Sequence, residues 1–236
     1  MANKKIALVT GGSKGIGFEI VRGLLHAGCR VYLGTREAAK GQQAAAELAA
    51  EGDVHFLEVD LGNQATLDSA AAHLQRAEGQ LDILVNNAGI NVPGDGSPIN
   101  ADVRSVAQAL QTNFLGTLAV TQAFLPLVKQ AAAGRIVNVS SPLGSLTIVG
   151  QHDWALLGYS ASKAALNMLT VQLAFELRDT GIKVNSAAPG YTATDLNGFA
   201  GSDTPVQGAA EAIRLALLSA EGPTGTMSSS DGILPW

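Results

Sequence analysis

Tyr159 and Lys163 stand four residues apart at the start of the stretch 159–179, whose apolar residues recur at helical spacing. On a helix, that spacing puts both side chains on one face, one turn apart. A phenol titrates near about pH 10, too high for a good base at neutral pH. A neighbouring ammonium favours the phenolate and draws that value down. Tyr159 can then hand a proton to a carbonyl oxygen, or take one from an alcohol. Ser140 and Ser141 follow an apolar run, and a hydroxyl there can hold the same substrate oxygen for attack. Each feature alone is common; a Tyr-x-x-x-Lys pair carries chemistry only when the chain around it builds a site.

Short β-like runs alternate with longer helical patterns from one end of the chain to the other. The runs Ile6–Thr10, Cys29–Thr35, Val54–Asp60, Leu81–Asn86, Gly134–Ser140 and Ile182–Ala188 read as strands, with a short seventh at Gly225–Ser228. Helices are expected over Gly15–Ala27, Glu37–Glu51, Gln64–Glu78, Tyr159–Asp179 and Pro205–Ser219, and over Ala101–Ala132 with a bend around Thr112–Asn113. Such alternation implies βαβ units. The expected fold is therefore α/β: one Rossmann-type domain over residues 1–236, with a doubly wound, mostly parallel seven-stranded sheet and helices on both faces. The stretch Pro142–Gly158 reads as one long loop, and loops of that length are usually functional.

The first strand runs into Thr10-Gly11-Gly12-Ser13-Lys14-Gly15-Ile16-Gly17, directly before a helix. Glycines let the backbone turn tightly and let a pyrophosphate approach peptide N–H groups at the helix N-terminus. The end of the second strand chooses between cofactors. A carboxylate there would hold a ribose 2′-hydroxyl, whereas a cation suits a 2′-phosphate. Here the strand ends Gly34-Thr35-Arg36, with no carboxylate before Glu37. Arg36 and Lys14 together should favour NADP(H), Arg36 through a bidentate fork.

Composition narrows the class further. The 236 residues carry a net charge of −5 with no basic stripe or tail, which argues against nucleic acid and against a membrane surface. No apolar run approaches the roughly 20 residues that span a bilayer, and the apolar N-terminal run is too short for a signal peptide. Cys29 is the only cysteine, so an internal disulfide is impossible; it reads as a small buried thiol. His26, His55 and His73 have no metal-ligand spacing and read as surface residues, so no metal site is expected. A cytoplasmic location fits these features.

Taken in order, Thr10-Gly11-x-x-x-Gly15-x-Gly17, Asp60-Leu61, Asn86-Asn87-Ala88-Gly89, Asn113, Ser140-Ser141, Tyr159-x-x-x-Lys163 and Pro189-Gly190 resemble the short-chain dehydrogenase/reductase family across nearly the whole chain. The C-terminal Ile233-Leu234-Pro235-Trp236 also resembles the bacterial carbonyl-reductase-like branch. The resemblance implies that Asp60, with Leu61, holds the adenine amino group, and that Asn86, Asn87, Ala88 and Gly89 wall the adenine ribose. It implies that Pro189, Gly190, Thr192 and Thr194 clasp the nicotinamide, and that Lys163 also grips its ribose. Of the two serines it favours Ser141, and it makes Asn113 the residue that kinks its helix and ties a water to the lysine.

The catalytic set expected from this resemblance is Asn113, Ser141, Tyr159 and Lys163. The activity it implies is hydride transfer between NADPH and a ketone or aldehyde, with the secondary alcohol in reverse. An NAD-linked alcohol dehydrogenase and a non-catalytic nucleotide-binding regulator are the alternatives. Both Tyr159 and Lys163 are present, which argues against the regulator. Tyr159 follows Ser141 by eighteen positions, more than is usual in the family. The excess falls in Thr147–Leu157, which should sit over the substrate. Ile90, Asn91, Pro93, Leu143, Trp154 and Tyr191 are the candidate pocket residues, suited to a compact hydrophobic ketone, aldehyde or quinone; His152 and Trp154 either line that pocket or lie on a solvent-exposed loop. The helices at 111–128 and 159–177 are apolar enough to seat another copy; relatives commonly form dimers or tetramers this way.

Overall fold

The computed structural model describes residues 4–151 and 154–236. Strands β1 (Ile6–Thr10), β2 (Arg30–Thr35), β3 (Asp53–Glu58), β4 (Ile83–Asn86), β5 (Arg135–Val139), β6 (Lys183–Ala187), β7 (Met227–Ser229) and β8 (Gly232–Leu234) form one sheet in the order β3-β2-β1-β4-β5-β6-β7-β8. All neighbours pair in parallel except β7 and β8. The sheet thus has eight strands, against the seven expected. The eighth is a three-residue antiparallel return from β7, too short to show a period of its own.

Helices α1 (Gly15–His26), α2 (Ala38–Leu48) and α8 (Pro205–Ala216) cover one face; α3 (Gln64–Ala77), α5 (Thr117–Val128) and α7 (Leu157–Glu176) cover the other. Strand side chains divide between the faces with the period of two that a pleat imposes. Ile6 and Leu8 of β1 pack with Leu74, Phe124 and Leu173, while Ala7 and Val9 pack with Ile20, Leu24 and Leu215. Because both faces are buried, the strands read as continuous apolar runs. The strand order reverses between β1 and β4, and a groove opens at the carboxyl ends of strands at such a point.

The long helical region begins with α4 (Val103–Leu110). At the place where a bend is expected, a π-helical segment at Gln111–Gly116 passes directly into α5. An inserted π turn displaces one residue from the α pattern, and such turns are frequent at functional sites. Asn113 lies within it, 1% exposed. The stretch after Ser141 is more ordered than a plain loop: it holds a 3-10 turn at Pro142–Gly144 and the short helix α6 (Leu146–Val149). Helix α7 starts two residues before Tyr159, where the sequence pattern places its first residue.

A chain of buried polar side chains crosses β4, β5 and β6 on the face covered by α5 and α7. Asn86 Nδ2 donates to Thr121 Oγ1 (3.1 Å) and to Asn138 Oδ1 (2.9 Å). Asn138 Nδ2 donates to Thr170 Oγ1 (2.8 Å), which lies 2.9 Å from Ser186 Oγ. Thr121 and Thr117 donate back along the helix to the carbonyls of Thr117 and Asn113, so the chain ends at the π segment. Removing one member strands its partners without water. Asn138→Ala is expected to cost about 2–3 kcal/mol, lowering Tm by roughly 4–12 °C; calorimetry of the two proteins at one pH checks this.

Candidate active site

The glycine-rich turn and the bend after β4 are tied together by side chains. Thr10 Oγ1 accepts from the backbone N–H of Asn87 (3.0 Å) and of Ala88 (3.1 Å). Asn87 Nδ2 returns to the carbonyls of Thr10 (3.0 Å) and Gly11 (3.3 Å). Gly11 and Gly15 adopt φ of +65° and +56°, the region that favours glycine. At Gly17 a Cβ would lie 2.2 Å from the Gly11 carbonyl oxygen, so α1 can approach the turn this closely only without a side chain. Ser13 and Ile16 complete the turn, and Gly12 N donates to the Gly34 carbonyl, 3.1 Å away.

Around this turn the expected cofactor residues separate. Ala88 lies against Gly11, and Gly89 faces Asn113 and Lys163: a Cβ on it would stand 3.3 Å from Asn113 Oδ1 and 3.7 Å from Lys163 Nζ. Asn86 is different. It is 3% exposed and belongs to the buried polar chain, so its side chain forms no wall of the groove; the pleat turns it to the face opposite Val85. Asp60 binds the N–H of Gly62 (2.9 Å), and Leu61 packs beneath Gly116. Thr194 packs on Gly15 across the groove, and Thr192 Oγ1 donates to the Pro189 carbonyl (3.0 Å), with Gly190 at φ +78°.

The two expected cations also part company. Arg36 is exposed, and among the described residues no ion pair engages its guanidinium; Glu37, beside it, pairs with Lys40 at 2.7 Å. Lys14 instead pairs with Asp195. That carboxylate comes from a segment 181 residues away, and so the cation expected to be open is shared across the groove.

Helix α7 places Tyr159 and Lys163 at the carboxyl ends of β4 and β5. Lys163 is 5% exposed. Its Nζ donates to the Val139 carbonyl (2.8 Å) and stands 5.6 Å from the centre of the Tyr159 ring. The half-buried Tyr159 is hydrogen-bonded with the Ser141 hydroxyl. The neighbouring Ser140 is committed elsewhere, donating to Asn167 Oδ1 at 2.6 Å. Alternation at the end of β5 thus decides between the two serines. Asn113 is clamped at both ends: Oδ1 accepts from Ile90 N (2.8 Å), and Nδ2 donates to Ile90 O (2.9 Å) and Ser162 Oγ (3.0 Å). Ser162 Oγ donates to the Tyr159 carbonyl (2.7 Å), a link that sequence patterns missed.

Electrostatics within the chain differ from the sequence expectation in one respect. Burial pushes the Tyr159 phenol up to about 12, and the hydrogen bond with Ser141, which favours the phenolate, offsets only part of this. Burial likewise pushes the Lys163 ammonium down to about 8. Burial, and not the ammonium expected from spacing alone, governs the phenol, because its charged form loses water.

Among the pocket candidates, Ile90 is held by Asn113, and Leu143 N donates to Ser141 Oγ (3.2 Å). Tyr191 and Trp154 are exposed by 59% and 53%, as are Asn91 and Pro93 to solvent. His152 lies outside the described residues. Cys29 is buried, its thiol pushed up by burial.

Fold and site together define a dinucleotide-binding α/β oxidoreductase. Residues 5–204 match the short chain dehydrogenase family, and the chain belongs to it. It is 32% identical to carbonyl reductase [NADPH] 1 of Mus musculus, covering 100% of this chain and 99% of that one. It is 31% identical to short-chain dehydrogenase/reductase 1 of Saponaria officinalis, covering 100% and 97%. Among solved structures, the RhlG/NADP active-site complex of Pseudomonas aeruginosa superposes with a TM-score of 0.86 at 31% identity, covering 98% of this chain and 96% of that one. NADPH-bound carbonyl reductase from chicken fatty liver gives 0.87 at 27%, covering 99% and 100%.

The depressed lysine has a measurable consequence. Between about pH 8 and the ordinary lysine value of 10.5, the unfolded chain binds a proton that the folded chain does not, so stability rises with pH across that window. Lys163→Met keeps the apolar stem and removes the buried charge. It is expected to gain about 3 kcal/mol over the parent at pH 7, and the gain should vanish near pH 10.5. Urea unfolding at the two pH values checks the sign.

Proposed function

We propose that this chain is an NADPH-dependent carbonyl reductase in which Tyr159 is the proton donor. The observation that carries the reading is the meeting of Ser141, Tyr159 and Lys163 at the strand ends, beside a glycine turn shaped for a pyrophosphate. The turn suits the cofactor on its own geometry: two left-handed glycines, and a third whose missing Cβ leaves room for the Gly11 carbonyl. Gly11, Ser13, Lys14, Gly15, Ile16 and Gly17 would hold the diphosphate, and Arg36 the 2′-phosphate. Asp60, Leu61, Asn87, Ala88 and Gly89 would line the adenosine half. Pro189, Gly190, Thr192 and Thr194 would hold the nicotinamide half with Lys163, and bound NADPH supplies the hydride.

The chain's own groups do the rest. Ser141 holds the substrate oxygen, and Tyr159 gives it a proton as negative charge develops there. In the chain by itself the phenol stays protonated through neutral pH, the form that reduction needs. Lys163, fixed by Val139 and flanked by Asn113 and Gly89, sets the field at the phenol. The exposed Tyr191 and Trp154 are the proposed apolar contacts for a compact ketone or aldehyde. That mouse carbonyl reductase is named for NADPH supports the cofactor assignment. Among the described residues no helix is long and apolar enough to cross a membrane, and the cytoplasm is the proposed location. The exposed Met168 and Phe175 on α7 support a homo-oligomer.

An NAD-linked reaction is disfavoured by Arg36, whose neighbour Glu37 is already paired. With 4-nitrobenzaldehyde as probe, kcat/KM with NADPH should exceed that with NADH by about tenfold or more, and Arg36→Ala should erase most of that margin. Tyr159→Phe should lower kcat by roughly 10²–10⁴ while NADPH still binds, read by cofactor fluorescence. Turnover retained by Tyr159→Phe would remove the proton-donor assignment. Failure of both cofactors to bind would remove the enzyme reading itself.

A further inference from the structure

Leu156, the residue before helix α7, has a non-helical backbone (φ −129°, ψ 85°) and offers no side-chain cap, whereas helix N-termini need acceptors for their first free N–H groups. The missing acceptor arrives from far along the chain. Asp95 Oδ1 accepts from Gly158 N at 2.7 Å, and Asp95 Oδ2 accepts from Tyr159 N at 2.8 Å. The same Oδ1 also takes the N–H of Gly96 (2.8 Å), and the Gly96 carbonyl accepts from Leu157 N (2.8 Å). Three successive N–H groups, 157 to 159, are therefore satisfied by two residues more than 60 positions earlier.

The segment that carries Asp95 is held from its other side. Ser105 Oγ donates to the Pro93 carbonyl (2.8 Å), and Asp102 N donates to the Gly94 carbonyl (3.1 Å). Gly94 itself turns at φ +90°, in the region that favours glycine. Upstream, Ile90 is clamped by Asn113 through two hydrogen bonds. At the receiving end, a Cβ on Gly158 would stand 3.0 Å from Val106 Cα and 3.3 Å from Asp95 Cγ. The carboxylate can come so close because residue 158 has no side chain. The loop 89–102 is thus a strut between the bend after β4, α4 and the first turn of α7.

We propose that Asp95 is a positioning residue for Tyr159: its carboxylate caps the helix in place of a local residue and so fixes where the phenol stands relative to Ser141 and Lys163. The proposal rests on the reading of Tyr159 as proton donor. A cap at position 156 would have satisfied the same N–H groups, since an N-cap side chain serves the second and third helical residues, here Gly158 and Tyr159. Supplying it from the strut instead makes the tyrosine's turn follow the pocket wall, and displacement of a reacting group by about 1 Å can cost on the order of 10²-fold. The carboxylate touches neither the phenol hydroxyl nor Lys163 in any hydrogen bond among the described residues, so its action is through the backbone.

The test uses Asp95→Ala, Asp95→Asn and the double variant Asp95→Ala/Leu156→Ser, with Tyr159→Phe alongside. Turnover is followed with NADPH and 4-nitrobenzaldehyde, and cofactor affinity by NADPH fluorescence. Amide exchange at Gly158 and Tyr159 is read by NMR. Asp95→Ala is expected to lower kcat about 10–100-fold, leave NADPH affinity within about twofold, and speed exchange at both amides. Asp95→Asn, whose amide group faces one N–H as a donor, should fall between that variant and the parent. Leu156→Ser should restore slow exchange and most of kcat. The proposal is overturned by unchanged kcat in Asp95→Ala, by a kcat loss matched by lost cofactor affinity, or by a double variant that recovers amide protection without recovering turnover. If Tyr159→Phe retains turnover, the donor assignment fails instead, and the exchange data still report whether Asp95 caps the helix.

Discussion

A lysine ammonium is held out of water at the carboxyl end of β5, with one carbonyl as its hydrogen-bond partner. Burying a cation is costly unless groups around it answer the charge, and the neighbouring architecture is arranged to that end. Gly144 lies so close to the Lys163 backbone that a Cβ would come within 2.8 Å of it, and Gly89 leaves open the space beside Nζ. Asn113 reaches the same place only because the helix around it is wound as a π turn. Loosening any of these would let water in, and the lysine would return toward ordinary behaviour.

The same constraint organises the two halves of the groove. On the glycine side, Thr10 and Asn87 lace β1 to the bend after β4, so the turn and the floor beneath it move as one piece. On the other side, Thr194 rests on Gly15, and Lys14 pairs with Asp195. The floor of the groove is thereby tied to the sheet, and its rim is held by side-chain contacts from both sides. The polar chain from Asn113 through Thr121, Asn86 and Asn138 to Ser186 extends that rigidity across three strands. Its directional hydrogen bonds specify one register where apolar packing would tolerate several.

Much of this is legible in the amino-acid sequence. The alternation of apolar runs and helical periods marked six of the parallel strands and every long helix, because parallel strands buried on both faces leave continuous apolar runs. The Tyr159–Lys163 pair was legible because spacing on a helix is local geometry. Asp95 was not, since its role depends on a loop reaching a helix end 63 residues later; the only local hint was a helix start lacking a polar cap. The eighth strand was missed because three residues show no period.

By itself, then, the amino-acid order determined what depends on near neighbours: the strand and helix periods, the left-handed glycines of the turn, and the one-turn separation of tyrosine and lysine. Tertiary structure alone decided that Asn86 faces the core, that Lys14 is shared with Asp195, and that burial rather than the neighbouring lysine governs the phenol. Those outcomes turn on desolvation and on partners brought together across the sheet. Both are properties of a packed volume, and no spacing along the chain encodes them.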